Sequence, residues 1–179
     1  MPLYEFKDKR PYIHPEVAYI SPSAVIIGDV RIGKDCSIFD NVIIEGDVAP
    51  VIIGTGVNIQ SQTVIHTSPD SITKIGDNVT IGHRAVVHAA TIEDNATIGI
   101  GSLVATYSSV GKGAVIGEGS VVPQKKQIPA NALAVGIPAK VIKTLPKEQE
   151  KSAIWIAEHY VMAGKERAES LKEINTDTV

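Results

Sequence analysis

A period of six residues is the feature that most constrains how this chain can fold. An aliphatic residue leads each hexad, at Ile20, Ile26, Ile32, Ile38 and Ile44. A small or branched residue follows four positions after each leader, at Ala24, Val30, Cys36, Val42 and Val48. This period is neither the 3.6 residues of a helix nor the two residues of an ordinary strand, and it indicates a repeat architecture.

The hexad pattern is interrupted and then resumes. Pro50 shifts it by three residues, and it returns at Ile53. An insertion of four residues within the segment 68–74 is expected to form a loop, after which the pattern returns at Ile75. With one further deletion it continues as far as Val135. The repeat therefore covers most of the chain.

Such a repeat predicts an all-β solenoid. Each hexad supplies one short strand and one turn, three hexads close a triangular coil, and successive coils stack at the ~4.8 Å spacing of parallel strands. The leader points into the prism and the residue four later fits the corner. Only 4% of residues are aromatic, which suits a narrow interior filled with branched aliphatic side chains. In this arrangement Cys36 is a buried, unreactive corner residue.

The two ends of the chain differ from the repeat. Residues 1–19 contain three prolines and are expected to cap the first coil, so that the solenoid domain comprises residues 1–143. Residues 144–174 are rich in Glu, Lys and Ala and predict a C-terminal α-helix, with Pro146 in its first turn. We expect this helix to pack on the prism or on a neighbouring subunit, and residues 175–179 to form a tail.

Charge and composition exclude several classes of partner. The net charge is −3, with acidic and basic residues mixed along the chain, so no basic face is expected to bind nucleic acid or an anionic membrane. The sequence contains one cysteine and no apolar run of membrane length. These features predict a soluble cytoplasmic protein.

Three of the five histidines, His66, His83 and His88, lie within one short stretch of the repeat. His66 and His88 each follow a leader directly and are expected to stack on one face of adjacent coils. His83 is the second residue after Ile81, which places it on a different face. The three rings can then meet only if a neighbouring subunit supplies His83, and this predicts a homotrimer with a threefold axis.

Three imidazoles with an open fourth position are typical of a catalytic zinc site. The same ligands also suit Fe²⁺ or Co²⁺. The alternative is that the three histidines are merely polar residues on solvated or interface faces of the solenoid.

The segments GDVAPVIIG, NIQSQTVIHT and IGDNVTIGHRAVVHAATI resemble those of the gamma-class carbonic anhydrases, and the resemblance extends over nearly the whole chain. It implies a left-handed parallel β-helix of hexapeptide repeats, assembled as a trimer with metal at the subunit interfaces. It also implies the metal ligands His66, His83 and His88. Asn58 and Gln60 would lie beside the water at the metal, and Asp47 would help to organise the site for reversible hydration of CO₂ to bicarbonate.

Two positions depart from the family pattern. Glu45 stands where the family has arginine, and Ser61 stands where it has aspartate. In the family these two residues pair across the interface, and the arginine helps to hold the anionic product. Their loss predicts weak hydration activity, because a carboxylate reverses the local field. Asp70 or Tyr160 is a candidate for transferring the proton.

Two alternative functions follow from the same residues. The departures at Glu45 and Ser61 are compatible with a noncatalytic metal-binding trimeric scaffold protein. The hexapeptide repeat is also compatible with a CoA-dependent acyltransferase, in which one histidine acts as general base.

Overall fold

The computed structural model describes residues 3–174, which form a left-handed parallel β-helix of about seven turns followed by one α-helix. The predicted fold class is therefore confirmed. The elements are, in chain order, β1 (Leu3–Tyr4), β2 (Tyr12–Ile13), β3 (Tyr19–Ile20), β4 (Val25–Ile32), β5 (Ser37–Ile38), β6 (Ile43–Ile53), β7 (Asn58–Ile59), β8 (Val64–His66), β9 (Thr73–Ile75), β10 (Thr80–Ile81), β11 (Val86–His88), β12 (Thr91–Ile92), β13 (Thr97–Ile98), β14 (Leu103–Val104), β15 (Ser109–Val110), β16 (Val115–Ile116), β17 (Val121–Val122), β18 (Gln127–Ile128), β19 (Ala132–Val135), β20 (Lys140–Thr144) and α1 (Gln149–Ser170).

The strands form the three faces of a prism. The first face runs β4, β6, β8, β11, β14 and β17, and the second runs β4, β6, β9, β12, β15 and β18. β4 and β6 belong to both faces because each is long enough to pass around a corner. The third face runs β3, β5, β7, β10, β13, β16, β19 and β20. All neighbouring strands in these faces are parallel except β19 and β20, which close the last coil as an antiparallel pair.

The interior consists of the hexad leaders. Every leader isoleucine in the central coils is almost completely buried, and the largest of these side chains are Ile26, Ile32, Ile38, Ile44, Ile59, Ile65, Ile75, Ile81, Ile92, Ile98, Ile116 and Ile128. Because a strand alternates its side chains between faces, the residue directly after each leader points outward. This alternation is what places His66 and His88 on the outside of the prism.

The prediction for Val48 is wrong. The hexad pattern predicts a buried corner residue at this position, but the Val48 side chain is 42% exposed. β6 continues through this position to Ile53 as an extended strand, and Ala49 and Val51 take the buried positions instead. The other predicted corner residues of the first coils, including Cys36, are completely buried. Burial raises the pKa of the Cys36 thiol to about 12.

Helix α1 packs along the third face, against β3, β5, β7 and β10. The Ser37 hydroxyl donates to the carbonyl oxygen of Tyr160 over 2.9 Å, and Arg167 Nη1 donates to Asp40 Oδ2 over 2.7 Å. Gly164 lies so close to the face that a Cβ atom there would be 2.4 Å from Ser37 Oγ. The helix is therefore held closely against its own solenoid.

The helix begins later than the sequence indicated. Residues 140–144, the last of which was expected to begin the helical segment, form β20, and the backbone N–H of Leu145 donates to the carbonyl oxygen of Asn131. These bonds hold the chain extended up to Pro146, so the first helical residue is Gln149. The predicted tail, residues 175–179, lies outside the described residues. Within residues 3–174 no helix combines the length and apolar character needed to cross a membrane.

Candidate metal centre

His66 and His88 stack on the first face of the prism. His66 ends β8 and His88 ends β11, and the two residues are direct partners in the parallel register of these strands. Their ring centroids are 5.1 Å apart. The predicted stacking on adjacent coils is thus confirmed, and it follows from the equal position of both residues behind their leaders.

The two rings point nitrogen atoms at each other. His66 Nδ1 lies 3.2 Å from His88 Nε2. Two ligands held at ~2.0–2.1 Å by a tetrahedral zinc ion are about 3.3 Å apart. The two nitrogen atoms therefore already have the separation that such an ion requires, so these residues fit a metal.

The outer nitrogen atom of each ring has its own hydrogen-bond partner. His66 Nε2 lies 3.1 Å from Asp47 Oδ1, and His88 Nδ1 lies 2.9 Å from Thr106 Oγ1. The carboxylate oxygen can only accept, so His66 carries a proton on Nε2. The same Asp47 oxygen accepts from the backbone N–H of Val48 over 2.9 Å, which fixes its position.

His88 is half-buried, with a pKa below its ordinary value. Burial of the ring is the main cause, and the neighbouring His66 adds to it. Both effects disfavour a charged imidazole. The neutral form is the one that binds metal ions.

His83 lies in the turn that follows β10 of the third face, two residues after the leader Ile81. Its side chain is exposed. Among the described residues 3–174, no three His, Cys, Asp or Glu side chains converge as a metal site within the chain. The structure therefore brings His66 and His88 together on the first face, whereas His83 lies in the turn after the third face.

Asn58 and Gln60 also lie on the third face. Both side chains are nearly inaccessible, with exposures of 0% and 6%. Asn58 Nδ2 donates to Thr80 Oγ1 over 2.8 Å, and Gln60 Nε2 donates to Asn58 Oδ1 over 3.2 Å. Gln60 thus occupies the coil before His83, rather than adjoining His66 and His88 in its own chain.

A cavity of about 430 Å³ lies between the third face and helix α1. Gln60 and Gly82 line it from the solenoid, and Trp155 and Tyr160 line it from the helix. Tyr160, one of the two candidates for proton transfer, therefore lies on the side of Gln60 and His83.

The two positions that depart from the family pattern each lie one coil before a histidine. Ile44 pairs with Ile65, so Glu45 lies one coil before His66. Ile59 pairs with Ile81, so Ser61 lies one coil before His83. Both side chains are half-buried.

Thr106 is a site residue that the sequence analysis missed. It is the second residue after the leader Val104, and β14 pairs directly with β11. This register places Ala105 directly above His88, and Thr106 lies one residue further, in the turn after β14. Nothing in the residue type itself, one threonine among many hydroxyl residues, indicated a role.

The inserted loop is fastened beside the centre. Tyr107 Oη donates to Asp70 Oδ2 over 2.7 Å, and this hydrogen bond to the carboxylate raises the pKa of Tyr107. The backbone N–H of Tyr107 donates to the carbonyl oxygen of Ala89, the residue after His88. Asp70, the other candidate for proton transfer, is thus tied to the coil above the histidine pair.

Comparison with known proteins gives the chain a family. No family model matches it. A carbonic anhydrase of Geobacillus kaustophilus is 43% identical over 162 residues, which cover 90% of this chain and 88% of the relative. The mitochondrial gamma carbonic anhydrase 2 of Arabidopsis thaliana is 36% identical over 180 residues, 95% of this chain but only 64% of that longer protein.

Among solved structures, an acetyltransferase candidate from Bacillus cereus superposes with a TM-score of 0.88 at 42% identity. The match covers 91% of this chain and 94% of that one. This similarity agrees with the hexapeptide-repeat fold. Taken with the carbonic anhydrase relatives, it shows that the chain belongs to the gamma-class carbonic anhydrase family of hexapeptide-repeat proteins.

Proposed function

We propose that this protein catalyses the reversible hydration of CO₂ at a metal centre shared between subunits of a homotrimer. His66 and His88 are contributed by one subunit and His83 by the next. The observation that carries the proposal is the 3.2 Å separation of His66 Nδ1 and His88 Nε2, two facing nitrogen atoms at the spacing of metal ligands. Membership of the carbonic anhydrase family supports hydration of CO₂ as the reaction.

The trimer is proposed because residues 3–174 of one chain bring together two facing ligands and no third. His83 is exposed in the turn after β10 of the third face, where a neighbour can approach it. The same face and its helix also expose apolar side chains, with Ile100 at 46% and Trp155 at 65% exposure. Apolar side chains of this size on the outside of a subunit are typical of protein interfaces. The proposed contact thus buries this apolar surface and also brings the third histidine ligand to the pair.

The proposed metal is Zn²⁺, with Fe²⁺ or Co²⁺ also compatible with three imidazole ligands. Bound by three histidines with one open position, such an ion is a Lewis acid that makes a water molecule acidic enough to react near neutral pH. His66 and His88 offer facing nitrogen atoms because Asp47 and Thr106 occupy the outer ones.

Gln60 is proposed to orient the reacting water. The subunit that contributes His83 also brings Gln60 and Asn58, since these two residues lie on its third face one coil before the His83 segment. Gln60 Nε2 donates to Asn58, which directs the amide and leaves its Oε1 to accept from water. In the other subunit of the site, Asp47 holds His66 of its own chain in the tautomer that binds metal.

The activity is proposed to be weak. Glu45 and Ser61 lie one coil before His66 and His83, so the trimer would bring both positions to the same interface. A carboxylate from Glu45 repels the bicarbonate anion that the family's arginine attracts. We also propose a cytoplasmic location, for which the single buried thiol of Cys36 is the support.

Metal analysis, sedimentation and stopped-flow CO₂ hydration on anaerobically purified protein test this function. We expect a trimer with one metal ion per subunit and a measurable, slow hydration rate that is lost on metal removal. A monomer that retains stoichiometric metal would contradict the shared site. A metal-loaded trimer with no hydration activity would contradict the catalytic function and favour the noncatalytic scaffold.

Acyl transfer is the second candidate, and the name of the Bacillus cereus structure is the observation that favours it. Such an enzyme would bind acetyl-CoA in a groove beside one activated histidine. Calorimetric titration with acetyl-CoA separates the two functions, because hydration of CO₂ does not require a site that binds the pantetheine arm. Saturable binding at micromolar acetyl-CoA would favour the acyltransferase.

A further inference from the structure

The hydroxyl group of Thr106 faces the outer nitrogen atom of His88. Thr106 Oγ1 lies 2.9 Å from His88 Nδ1, and both residues are half-buried. The arrangement parallels that of the neighbouring ring, where Asp47 Oδ1 lies 3.1 Å from the outer nitrogen atom of His66. Each histidine of the pair therefore has its own partner on the side away from the facing nitrogen atoms.

The backbone around Thr106 is held by the coils on both sides. The N–H of Tyr107, the next residue, donates to the carbonyl oxygen of Ala89 over 2.8 Å. The carbonyl oxygen of Thr106 accepts from the N–H of Lys125 over 3.0 Å. The hydroxyl group is thus presented from a fixed turn, which allows it to set the position of a ring.

We propose that Thr106 is a positioning residue that holds His88 in its metal-binding tautomer. A ring that binds metal through Nε2 carries its proton on Nδ1, and the Thr106 oxygen accepts this proton in a hydrogen bond. Without that acceptor, the Nδ1 proton loses its partner and the ring is free to turn away from His66. This inference rests on the proposed metal centre and extends it to a residue beyond the ligands.

Two substitutions at Thr106 separate the hydroxyl group from the shape of the side chain. Thr106→Val keeps the branched shape and removes the acceptor, whereas Thr106→Ser keeps the acceptor. Thr91→Val is the matched control, because Thr91 is a half-buried threonine on β12 of the second face. Sedimentation of each variant verifies that the assembly is intact.

The measurement is the zinc dissociation constant, obtained by competition with a chelator. We expect Thr106→Val to weaken zinc binding by about 10- to 100-fold, the usual effect of removing a partner of a ligating histidine. Thr106→Ser and Thr91→Val should bind zinc as the wild type does. In zinc-loaded protein with ¹⁵N-labelled histidine, His88 should carry its proton on Nδ1, and Thr106→Val should weaken or abolish that signal.

Wild-type affinity in Thr106→Val, with an unchanged His88 spectrum, would overturn the positioning role whatever the hydration rate. Equal weakening in Thr106→Val and Thr106→Ser would also overturn it, because the hydroxyl group would then be irrelevant. A wild-type protein that binds zinc but does not hydrate CO₂ would contradict the proposed function alone, since the role of Thr106 is judged by affinity and tautomer.

Discussion

Asp47 should contribute to metal affinity by orienting His66. Asp47→Ala removes the oxygen atom that lies 3.1 Å from His66 Nε2. Loss of such a partner weakens metal binding by about 10- to 100-fold, or ~1.4–2.8 kcal/mol. The two side chains are 30% and 31% exposed, so water can replace part of the bond. We therefore expect a loss near the lower limit, about tenfold.

Asp47→Asn should have a smaller effect, because the backbone N–H of Val48 decides the orientation of the new amide. This N–H donates to Oδ1 over 2.9 Å, so it should hold the amide oxygen atom, rather than the amide nitrogen atom, toward His66. The hydrogen bond then survives without its charge, which is roughly half of its strength. The expected loss of zinc affinity is about threefold.

The assay is chelator competition for zinc at constant pH, with Asp29→Ala as control. Asp29 adjoins Gly46 from the coil below, and its carboxylate lies 3.4 Å from Arg31 instead of near a histidine. The control should bind zinc as the wild type does. Wild-type affinity in Asp47→Ala would refute the orienting role. Equal losses in Asp47→Ala and Asp47→Asn would show that charge, and not the placement of the acceptor, determines the effect.

Three further outcomes are expected. Burial raises the pKa of Cys36 to about 12, so this thiol should resist thiol reagents at pH 8 until the protein unfolds. The folded state holds the thiol proton more tightly than the unfolded state, so stability should fall only as the pH rises above the pKa of the thiol in the unfolded protein. Rapid labelling of the folded protein would contradict this. Gly164→Ala should lower the free energy of unfolding by about 1–3 kcal/mol through overpacking against Ser37, whereas a gain in urea denaturation would mean that helix propensity outweighs the clash. Glu45→Arg combined with Ser61→Asp should raise kcat/KM for CO₂ by more than the product of the two single effects; strictly multiplicative effects would show that the two positions do not interact.

The fold could be predicted from the sequence because one period specifies both the strand and its partner. Once Ile65 and Val87 are recognised as leaders one coil apart, the pairing of His66 with His88 follows without any further information. The same rule failed at Val48, where a strand continues around a corner and local extension overrides the hexad. A period describes hexads that each form one short strand and one turn. It does not predict a strand such as β6 that continues past a corner into the next face.

The details of the candidate site were harder to predict from the sequence. The register places Ala105, and not Thr106, above His88. The contact between Thr106 and His88 and the choice of ring nitrogen atoms both depend on side-chain rotation, which the repeat does not encode. The start of the helix was also missed, because the pairing of β20 with β19 holds the chain extended past the point where Pro146 indicated a helical turn.

The most direct test of the shared metal centre is to mix two defective chains. His83→Ala lacks the ligand that one subunit gives to its neighbour, and His66→Ala lacks a ligand of the opposite half. In a trimer with shared sites, each mixed assembly contains one intact site, so random assembly at equal amounts should restore about a quarter of the wild-type zinc content. Each variant alone should bind almost none. A mixture that binds no more zinc than the separate variants would contradict the shared centre.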